Sequence, residues 1–317
     1  MQIPRKNIGL VLLGLILLFQ TNLAQKTVHK GSDISHSKPV FSKGIHTLSI
    51  HVRDTSTHDS VFHFLVDKLK LPVYYFPVGR NTKYAGVYAG NLVLEPCGPY
   101  TNRFQYASND FRAIFFGLTF EPFESIHQSA MSLTDRQINH QSGDSFIYLQ
   151  KDSALCGDNL TISLIDRGVE KKHDKRIKDS LQYAMNAEAE TTYNVFRVYD
   201  KTPASFANMN YYNELGIEYV KEICIGYKNK SHLKKWGQLI SPEKITDNTW
   251  KVSDSLDFQF VKSEIKEVLS ITFKVKSLEK ATLYLLKNNL VGKCSAHKIE
   301  IDKKQAFGLS ICFTEEN

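Results

Sequence analysis

Residues 45–73 read IHTLSIHVRDTSTHDSVFHFLVDKLKLPV, and this stretch decides the predicted fold. Its beginning alternates apolar and polar residues, which is typical of a half-buried strand. The hydroxyl cluster at 55–57 predicts the cap of a helix whose apolar residues follow helical spacing, and Pro72 closes that helix. Residues 73–95 contain three short apolar runs, which predict three further strands. The turn residues between them are predicted to be Gly79, Gly86, Gly90 and Asn91.

The same opening, a strand that runs into a helix, occurs three more times along the chain. It lies at residues 112–138, at 219–240 and at 267–290. After the second copy, residues 159–166 predict a strand, and residues 194–200 predict the late strand that completes the second unit. Four copies of the order strand, helix, three strands predict an α+β protein with an internally repeated architecture of four βαβββ modules.

Two modules in each domain predict two domains, at residues 40–205 and 206–317. The highly charged stretch at about 167–190 interrupts the second module, and we interpret it as a solvated helical insertion in the first domain. A polyanion-binding arm is the alternative interpretation of this stretch. Its Asp and Glu residues offset many of its Lys and Arg residues, which favours the solvated insertion.

The amino-terminal residues have the three parts of a secretory signal peptide. Two basic residues precede a run of twelve apolar residues at 8–19, and a small residue, Ala24, follows. A bilayer span needs ~20 apolar residues, so this run is too short to cross one. We therefore predict a signal peptide at 1–24 and an exported mature chain, periplasmic or extracellular, with a flexible lead-in at 25–39 and no stable transmembrane span. An uncleaved amino-terminal anchor is the alternative.

Charge and cysteine content exclude some partners. The 317 residues include 40 Lys or Arg and 33 Asp or Glu, which gives a formal net charge of +7. Because the basic residues are spread along the chain and form no stripe, the sequence argues against a nucleic-acid partner. The five cysteines show no CxxC or other metal-binding spacing. One or two disulfides are possible in an exported protein, while three cysteines in or beside apolar strand patterns are expected to be buried as small hydrophobic residues.

Residues 45–73, together with YAGVYAGNLVLEPCGP at 84–99, resemble the first module of the vicinal oxygen chelate superfamily. That superfamily includes the glyoxalases, bleomycin-resistance proteins and extradiol dioxygenases, and the openings of the other three modules are similar to it in outline. The resemblance implies paired, glyoxalase-like βαβββ modules whose strands curl into a cup, and hence two domains built on curved mixed sheets. It also implies one divalent metal ion, such as Zn, Ni, Mn or Fe, held by His and Glu residues on the first and last strands.

The resemblance assigns Glu95, on the last strand of the first module, to the position of the metal-binding glutamate. The position of the histidine lies seven residues before Asp54 and is occupied by Thr47. His51 and His46 are therefore the candidate partners of Glu95 in a metal site. His46 would need a bulge to turn it inward, because a shift of one residue reverses the face of a strand.

Alternation along the first strand predicts a set of pocket residues on one face. Together with the aromatic residue at the late-strand position of the second module, the candidates are Thr47, Ser49, His51 and Tyr199. The partner modules are poor in ligands: RAIFFGLTF contains no His, Asp or Glu, and the second domain offers Glu222, Cys224, Glu267 and Thr272. No complete set of His and carboxylate ligands can be assembled from matching positions.

Two functions remain open from the sequence. The first is a metal-assisted lyase or isomerase of glyoxalase type that acts on a small oxygen-bearing molecule outside the cytoplasm. The second is a non-catalytic module that binds a small molecule or partner in the same cup, with a degenerate metal site. The chain has no GxSxG, Walker loop, GxGxxG or HExxH motif, which removes the usual support for hydrolase, nucleotide-binding and metalloprotease functions.

Overall fold

The computed structural model of the chain describes several stretches of residues. They are 41–101, 111–122, 126–142, 146–150, 153–163, 192–199, 213–240, 243–244, 248–263 and 268–316. The predicted signal peptide at 1–24, the lead-in at 25–39, the charged insertion at about 167–190 and the domain boundary near residue 205 all lie outside them. Within the described stretches, no helix is both long enough and apolar enough to cross a membrane.

The first module has the predicted order of one strand, one helix and three strands. Its elements are β1 (Phe41–Val52), α1 (Thr55–His63), β2 (Val73–Val78), β3 (Lys83–Tyr88) and β4 (Val93–Gly98), and a short π-helical segment at Phe64–Lys68 continues α1.

The cap of α1 differs from the prediction by one residue. The N-cap is Asp54, whose side chain accepts a hydrogen bond of 2.7 Å from the backbone nitrogen of Thr57. The prediction of a cap at 55–57 is therefore wrong, and these residues form the first turn of the helix. An aspartate with extended backbone can reach the free N–H groups of that turn, which explains why it takes the capping role.

β1 separates the apolar core from a polar face of its sheet. Leu48 and Ile50 are fully buried in the core. Thr47, Ser49 and His51 alternate with them and lie on the opposite face, as predicted from the period of two along a strand.

The second module joins the same sheet. Its elements are β5 (Ala113–Pro122), α2 (Ile126–Asp135), β6 (Asn139–Ser142), β7 (Phe146–Gln150), β8 (Ser153–Ser163) and β9 (Thr192–Tyr199). β6 and β7 both pair with β8, and β9 pairs in parallel with β5, so the predicted late strand at 194–200 is confirmed. β1 and β5 pair in antiparallel fashion, which gives a nine-stranded sheet of order β2-β3-β4-β1-β5-β9-β8-β6, with β7 also on β8.

The third and fourth modules form a second sheet of eight strands. The elements are β10 (Ile217–Tyr227), α3 (Lys230–Ile240), β11 (Glu243–Lys244), β12 (Thr249–Ser253), β13 (Leu256–Lys262), β14 (Val268–Val275), α4 (Leu278–Lys287), β15 (Val291–Cys294), β16 (Ile299–Ile301) and β17 (Ile311–Thr314). Their order is β11-β12-β13-β10-β14-β17-β16-β15. The antiparallel pair β10 and β14 joins the modules as β1 and β5 do in the first sheet. Two mixed sheets with helices confirm the α+β class, and modules that are neighbours in sequence share a sheet.

The buried apolar residues form one continuous cluster that includes residues of both sheets and of all four α-helices described. Its largest fully buried side chain is Trp236 of α3, which packs against Phe258 and Phe260 of β13 with ring centroids 5.7 and 5.6 Å apart. Burial of aromatic side chains of this size is a major source of stability. The two sheets therefore share a core within the unit Lys38–Asn317.

A turn of the first module docks directly on the second sheet. The side chain of Asn91 donates to the carbonyl of Val220 at 2.8 Å and to Ser255 Oγ at 3.2 Å, and its Oδ1 accepts from the backbone nitrogen of Val220 at 3.0 Å. At the preceding Gly90, φ is +89°, and a Cβ atom would lie 2.0 Å from the carbonyl oxygen of Glu218. Only glycine fits that approach, so the Gly90-Asn91 turn joins the two sheets.

The structure also tests the predictions made for Gly86 and for the cysteines. Gly86 lies within β3, so its prediction as a turn residue is wrong. Cys97, Cys224 and Cys312 are buried, as expected for three of the cysteines, and Cys294 is exposed. These four described cysteines form no disulfide.

Candidate functional site

Glu95 lies on the polar face of the first sheet, directly opposite Ser49 in the parallel pairing of β4 with β1. The same pairing places Thr47 opposite Val93 and His51 opposite Cys97. Residues directly opposite each other share a face of the sheet, so the predicted pocket residues of β1 and the predicted glutamate of β4 do face the same side.

Two hydroxyl groups donate to the carboxylate of Glu95. Ser49 Oγ donates to Oε2 at 3.4 Å, and the phenol of Tyr75 donates to Oε1 in a short hydrogen bond. Ser49, Tyr75 and Glu95 are all half-buried. A carboxylate can accept about four hydrogen bonds, so Glu95 keeps acceptor capacity beyond these two.

Gly86 explains how Tyr75 of β2 reaches across β3 to Glu95 of β4. Tyr84 pairs with Cys97, and Val87 pairs with Leu94, which places Gly86 beside Glu95 in the register. Tyr75 pairs with Gly86 on the other side. A Cβ atom on Gly86 would lie 2.4 Å from the ring of Tyr75, closer than real contacts allow. The missing side chain therefore lets the ring lie over the strand.

The surroundings of Glu95 favour its neutral form more than water does. Burial raises the pKa of Glu95 above its ordinary value of 4.5, while the hydrogen bonds from Tyr75 and Ser49 act in the opposite direction. In the part of the chain that the structure describes, no Lys or Arg forms an ion pair with Glu95.

His51 lies on the predicted face, and aromatic rings cover it. Its ring is stacked between those of Tyr100 and Phe116, each with a centroid 3.9 Å away, and its side chain is only 6% exposed. Phe115, next to Phe116, packs instead in the core, as strand alternation predicts. The stacking fixes the orientation of His51 and makes it part of the wall of this face.

His46 and Thr47 lie at a register shift of β1. Ile45 pairs with Phe120 and Thr47 with Thr119, so the strand carries one extra residue at His46. The Nδ1 of His46 lies 2.7 Å from Thr47 Oγ1, and its ring meets that of Tyr74 edge to face at 6.4 Å. The bulge expected for an inward His46 is present, and it places the ring beside an aromatic residue of β2.

The described donors on this face do not form a cluster of metal ligands. Among the residues that the structure describes, no three His, Cys, Asp or Glu side chains come close enough together to hold a metal ion. Thr47 occupies the position that the resemblance gives to histidine, and the residue opposite it on β5 is another threonine, Thr119. Hydroxyl groups of threonine are weak ligands for the ions that imidazole and carboxylate prefer. His46, His51 and Glu95 instead each make the separate contacts described above.

Tyr199, the remaining predicted pocket residue, ends β9 and pairs with Cys156 of β8. Its side chain lies outside the described part of the structure, so its role stays a prediction.

The second sheet also carries a group of polar residues, around β10, the strand that corresponds to β1. Glu222 of β10 accepts a hydrogen bond from Thr272 at 3.2 Å and lies 3.5 Å from Lys298 Nζ. Asp257 pairs with Glu222 in the register, and burial is the main reason that the pKa of Asp257 is raised. Burial also raises the pKa of Cys312, which pairs with Thr272, to about 11. Glu222 has a lysine partner, in contrast to Glu95; Glu267 lies outside the described residues.

An open groove of about 490 Å³ lies near the start of α4 and carries several acidic residues. Glu315 accepts from the backbone nitrogen of Leu278 at 2.9 Å, and Glu316 pairs with His297 at 2.8 Å. Glu316 and His297 are more than half exposed. Because these groups are solvated and act as a helix cap and a surface pair, the groove is a weaker candidate than the Glu95 face.

The fold is similar to that of solved extradiol dioxygenases. A variant of homoprotocatechuate 2,3-dioxygenase from Brevibacterium fuscum matches 88% of this chain and 73% of its own, with a TM-score of 0.54 and 13% identity. A room-temperature structure of an extradiol ring-cleaving dioxygenase from B. fuscum gives a TM-score of 0.53 and 12% identity over the same shares. A hypothetical protein from Staphylococcus aureus matches 85% of this chain and 98% of its own, with a TM-score of 0.53 and 10% identity. No family model and no curated protein matches the chain. At these identities, the similarity establishes a dioxygenase-like fold.

Proposed function

We propose that this chain is a small-molecule-binding member of the vicinal oxygen chelate superfamily, and that the polar face of its first sheet around Glu95 holds the ligand. One observation carries the proposal: Glu95, Tyr75 and Ser49 form a half-buried, hydrogen-bonded polar group on a face that aromatic rings also line. A few convergent polar groups in apolar and aromatic surroundings are typical of small-molecule sites.

The donor set favours binding without a metal over the metal-assisted lyase or isomerase that the resemblance also implies. Both oxygens of Glu95 already accept hydrogen bonds from neutral hydroxyl groups, and the first-strand positions carry Thr47 and Thr119. We therefore assign Thr47, Ser49 and His51 to the wall of the ligand site, with no step routed through a metal ion.

A binding experiment with a chelator control tests this proposal. Fragments of drug-like size are titrated into the purified protein, with and without EDTA, and amide NMR shifts locate the binding site. We expect shifts on β1, β2 and β4 that EDTA leaves unchanged. Stoichiometric Zn, Ni, Mn or Fe in the purified protein, together with a turnover that EDTA abolishes, would instead support the metal-assisted enzyme.

We also propose that the binding face works outside the cytoplasm. The charged, apolar and small-residue parts of residues 1–24 support a cleaved signal peptide. Amino-terminal sequencing of the mature protein should begin at Gln25, whereas a protein that keeps Met1 and stays with the membrane would support an uncleaved anchor.

A further inference from the structure

Among the residues that the structure describes, the carboxylate of Glu95 has hydroxyl donors and no cationic partner. Tyr75 and Ser49 supply neutral O–H donors, and no Lys or Arg among the described residues pairs with Glu95. Glu222, the half-buried carboxylate of the second sheet, differs in having Lys298 at 3.5 Å. A desolvated carboxylate is stabilised most by a positive charge, so a cation would complement the ionised form of Glu95.

Aromatic rings stand at steep angles to each other beside this carboxylate. The ring of Tyr74 meets that of Tyr75 with centroids 5.7 Å apart and planes at 64°. The ring of His46 also meets that of Tyr74 edge to face, with planes at 76°. All three residues are half-buried, so each keeps some surface exposed to solvent. Rings inclined to each other in this way form the walls of a partial cage.

The register places this cage next to Glu95. Both tyrosine rings lie over Gly86, because a Cβ atom there would be 2.4 Å from the ring of Tyr75 and 3.1 Å from that of Tyr74. Gly86 is beside Glu95 in the pairing of β3 with β4. Neighbouring strands are about 4.8 Å apart, so the rings and the carboxylate lie within the reach of one small ligand.

We propose that the site takes an organic amine, a ligand with a protonated nitrogen attached to a small apolar or aromatic body. This inference rests on the proposed binding function and names its ligand class. The ammonium group donates to the free acceptor positions of Glu95, and its positive charge faces the tyrosine rings, which attract cations within about 6 Å of a ring centroid. The apolar body packs on the rings. The raised pKa of Glu95 adds a linkage: binding of the cation favours the ionised carboxylate and releases a proton.

Three probes of nearly equal shape separate charge from shape. Benzylamine is cationic, benzyl alcohol is neutral and benzoate is anionic, and each is titrated into the full-length chain at pH 7 with amide NMR shifts as the readout. We expect benzylamine to bind about tenfold or more tightly than benzyl alcohol, because only the amine forms a charge-assisted hydrogen bond with the carboxylate. Benzoate should bind most weakly of the three.

Variants assign the preference to the carboxylate. Glu95→Gln should abolish the preference for benzylamine, and Tyr75→Phe should reduce it while keeping most of the ring wall. Glu222→Gln is the matched control, because it neutralises a half-buried carboxylate of the other sheet, and it should leave the preference unchanged. Circular dichroism checks that each variant is folded.

The outcomes distinguish the ligand class from the proposed function. If benzyl alcohol binds as tightly as benzylamine, or if Glu95→Gln keeps the amine preference, the inference of an amine is wrong while the binding face stands. If none of the three probes shifts the amides of β1, β2 and β4, the proposed binding function fails together with the inference.

Discussion

Replacement of Gly86 by alanine tests the arrangement that builds the Glu95 group. The new Cβ atom would lie 2.4 Å from the ring of Tyr75, so the ring must move away from its position over β3. Because the same ring donates to Glu95, we expect the hydrogen bond to be lost as well.

The free energy of the change can be estimated from its parts. Loss of a hydrogen bond to a charged group costs about 1.5–3 kcal/mol, and displacement of a packed ring costs about 1–3 kcal/mol. Removal of a strand glycine contributes about 0.5–1 kcal/mol in the opposite direction. We therefore expect Gly86→Ala to lower the free energy of unfolding by about 2–5 kcal/mol.

Urea denaturation followed by circular dichroism measures this loss, and two controls make it specific. Gly237→Ala places a Cβ atom 3.4 Å from the ring of Trp250, an ordinary contact in helix α3, and should be neutral or stabilising by up to about 1 kcal/mol. In a Tyr75→Ala background, Gly86→Ala should cost less than about 1 kcal/mol, because only Tyr74 must yield. An equal cost of Gly86→Ala with and without Tyr75 would show that Gly86 is not needed to accommodate the Tyr75 ring.

Three further predictions concern the junction, the titration of Glu95 and the thiols. Asn91→Ala should lower the free energy of unfolding by about 2–4 kcal/mol in urea denaturation, since it leaves the N–H and C=O of Val220 without partners; a loss below about 0.5 kcal/mol would contradict the role of the turn. Because folding raises the pKa of Glu95, the folded state holds more protons than the unfolded state between the ordinary value of 4.5 and the raised one, so stability falls as pH rises through that window. Glu95→Gln should remove this fall in a series of denaturation curves against pH, and identical pH profiles would oppose it. Alkylation at pH 8, followed by mass spectrometry, should modify the exposed Cys294 first and Cys312 only after unfolding, since a thiol with a pKa of about 11 is about one part in a thousand thiolate; fast labelling of Cys312 in the folded protein would count against its burial.

Local patterns in the sequence predict much of this fold. Alternation in β1 places Thr47, Ser49 and His51 on one face because the period of two needs no knowledge of other strands. The recurring strand and helix openings predict four modules because each opening is also a local pattern in the sequence. Glu95 can be located because its strand ends in a motif that resembles a known module.

The surroundings of these residues depend on partners that are distant in sequence. The contact of Tyr75 with Glu95 depends on the register of three strands. Gly86 was predicted to be a turn residue because the local sequence does not show that the ring of Tyr75, from another strand, needs a glycine at this position. The covering of His51 needs Tyr100 from beyond β4 and Phe116 from β5. The sequence does place Tyr74, Tyr75 and Gly86 in one module. Their contact could be inferred only once the register of the strands was known.

The ionisation of Glu95 can be measured directly. It depends both on the half-buried position of the carboxyl group and on the proposed binding of a cationic ligand. Carbon-13 NMR of the Glu95 side-chain carboxyl group, assigned by comparison with Glu95→Gln, can be followed against pH with and without saturating benzylamine. We expect a titration midpoint above 4.5 in the free protein and a lower midpoint with the amine bound. A midpoint at or below 4.5 that does not move when benzylamine is added would contradict this expectation.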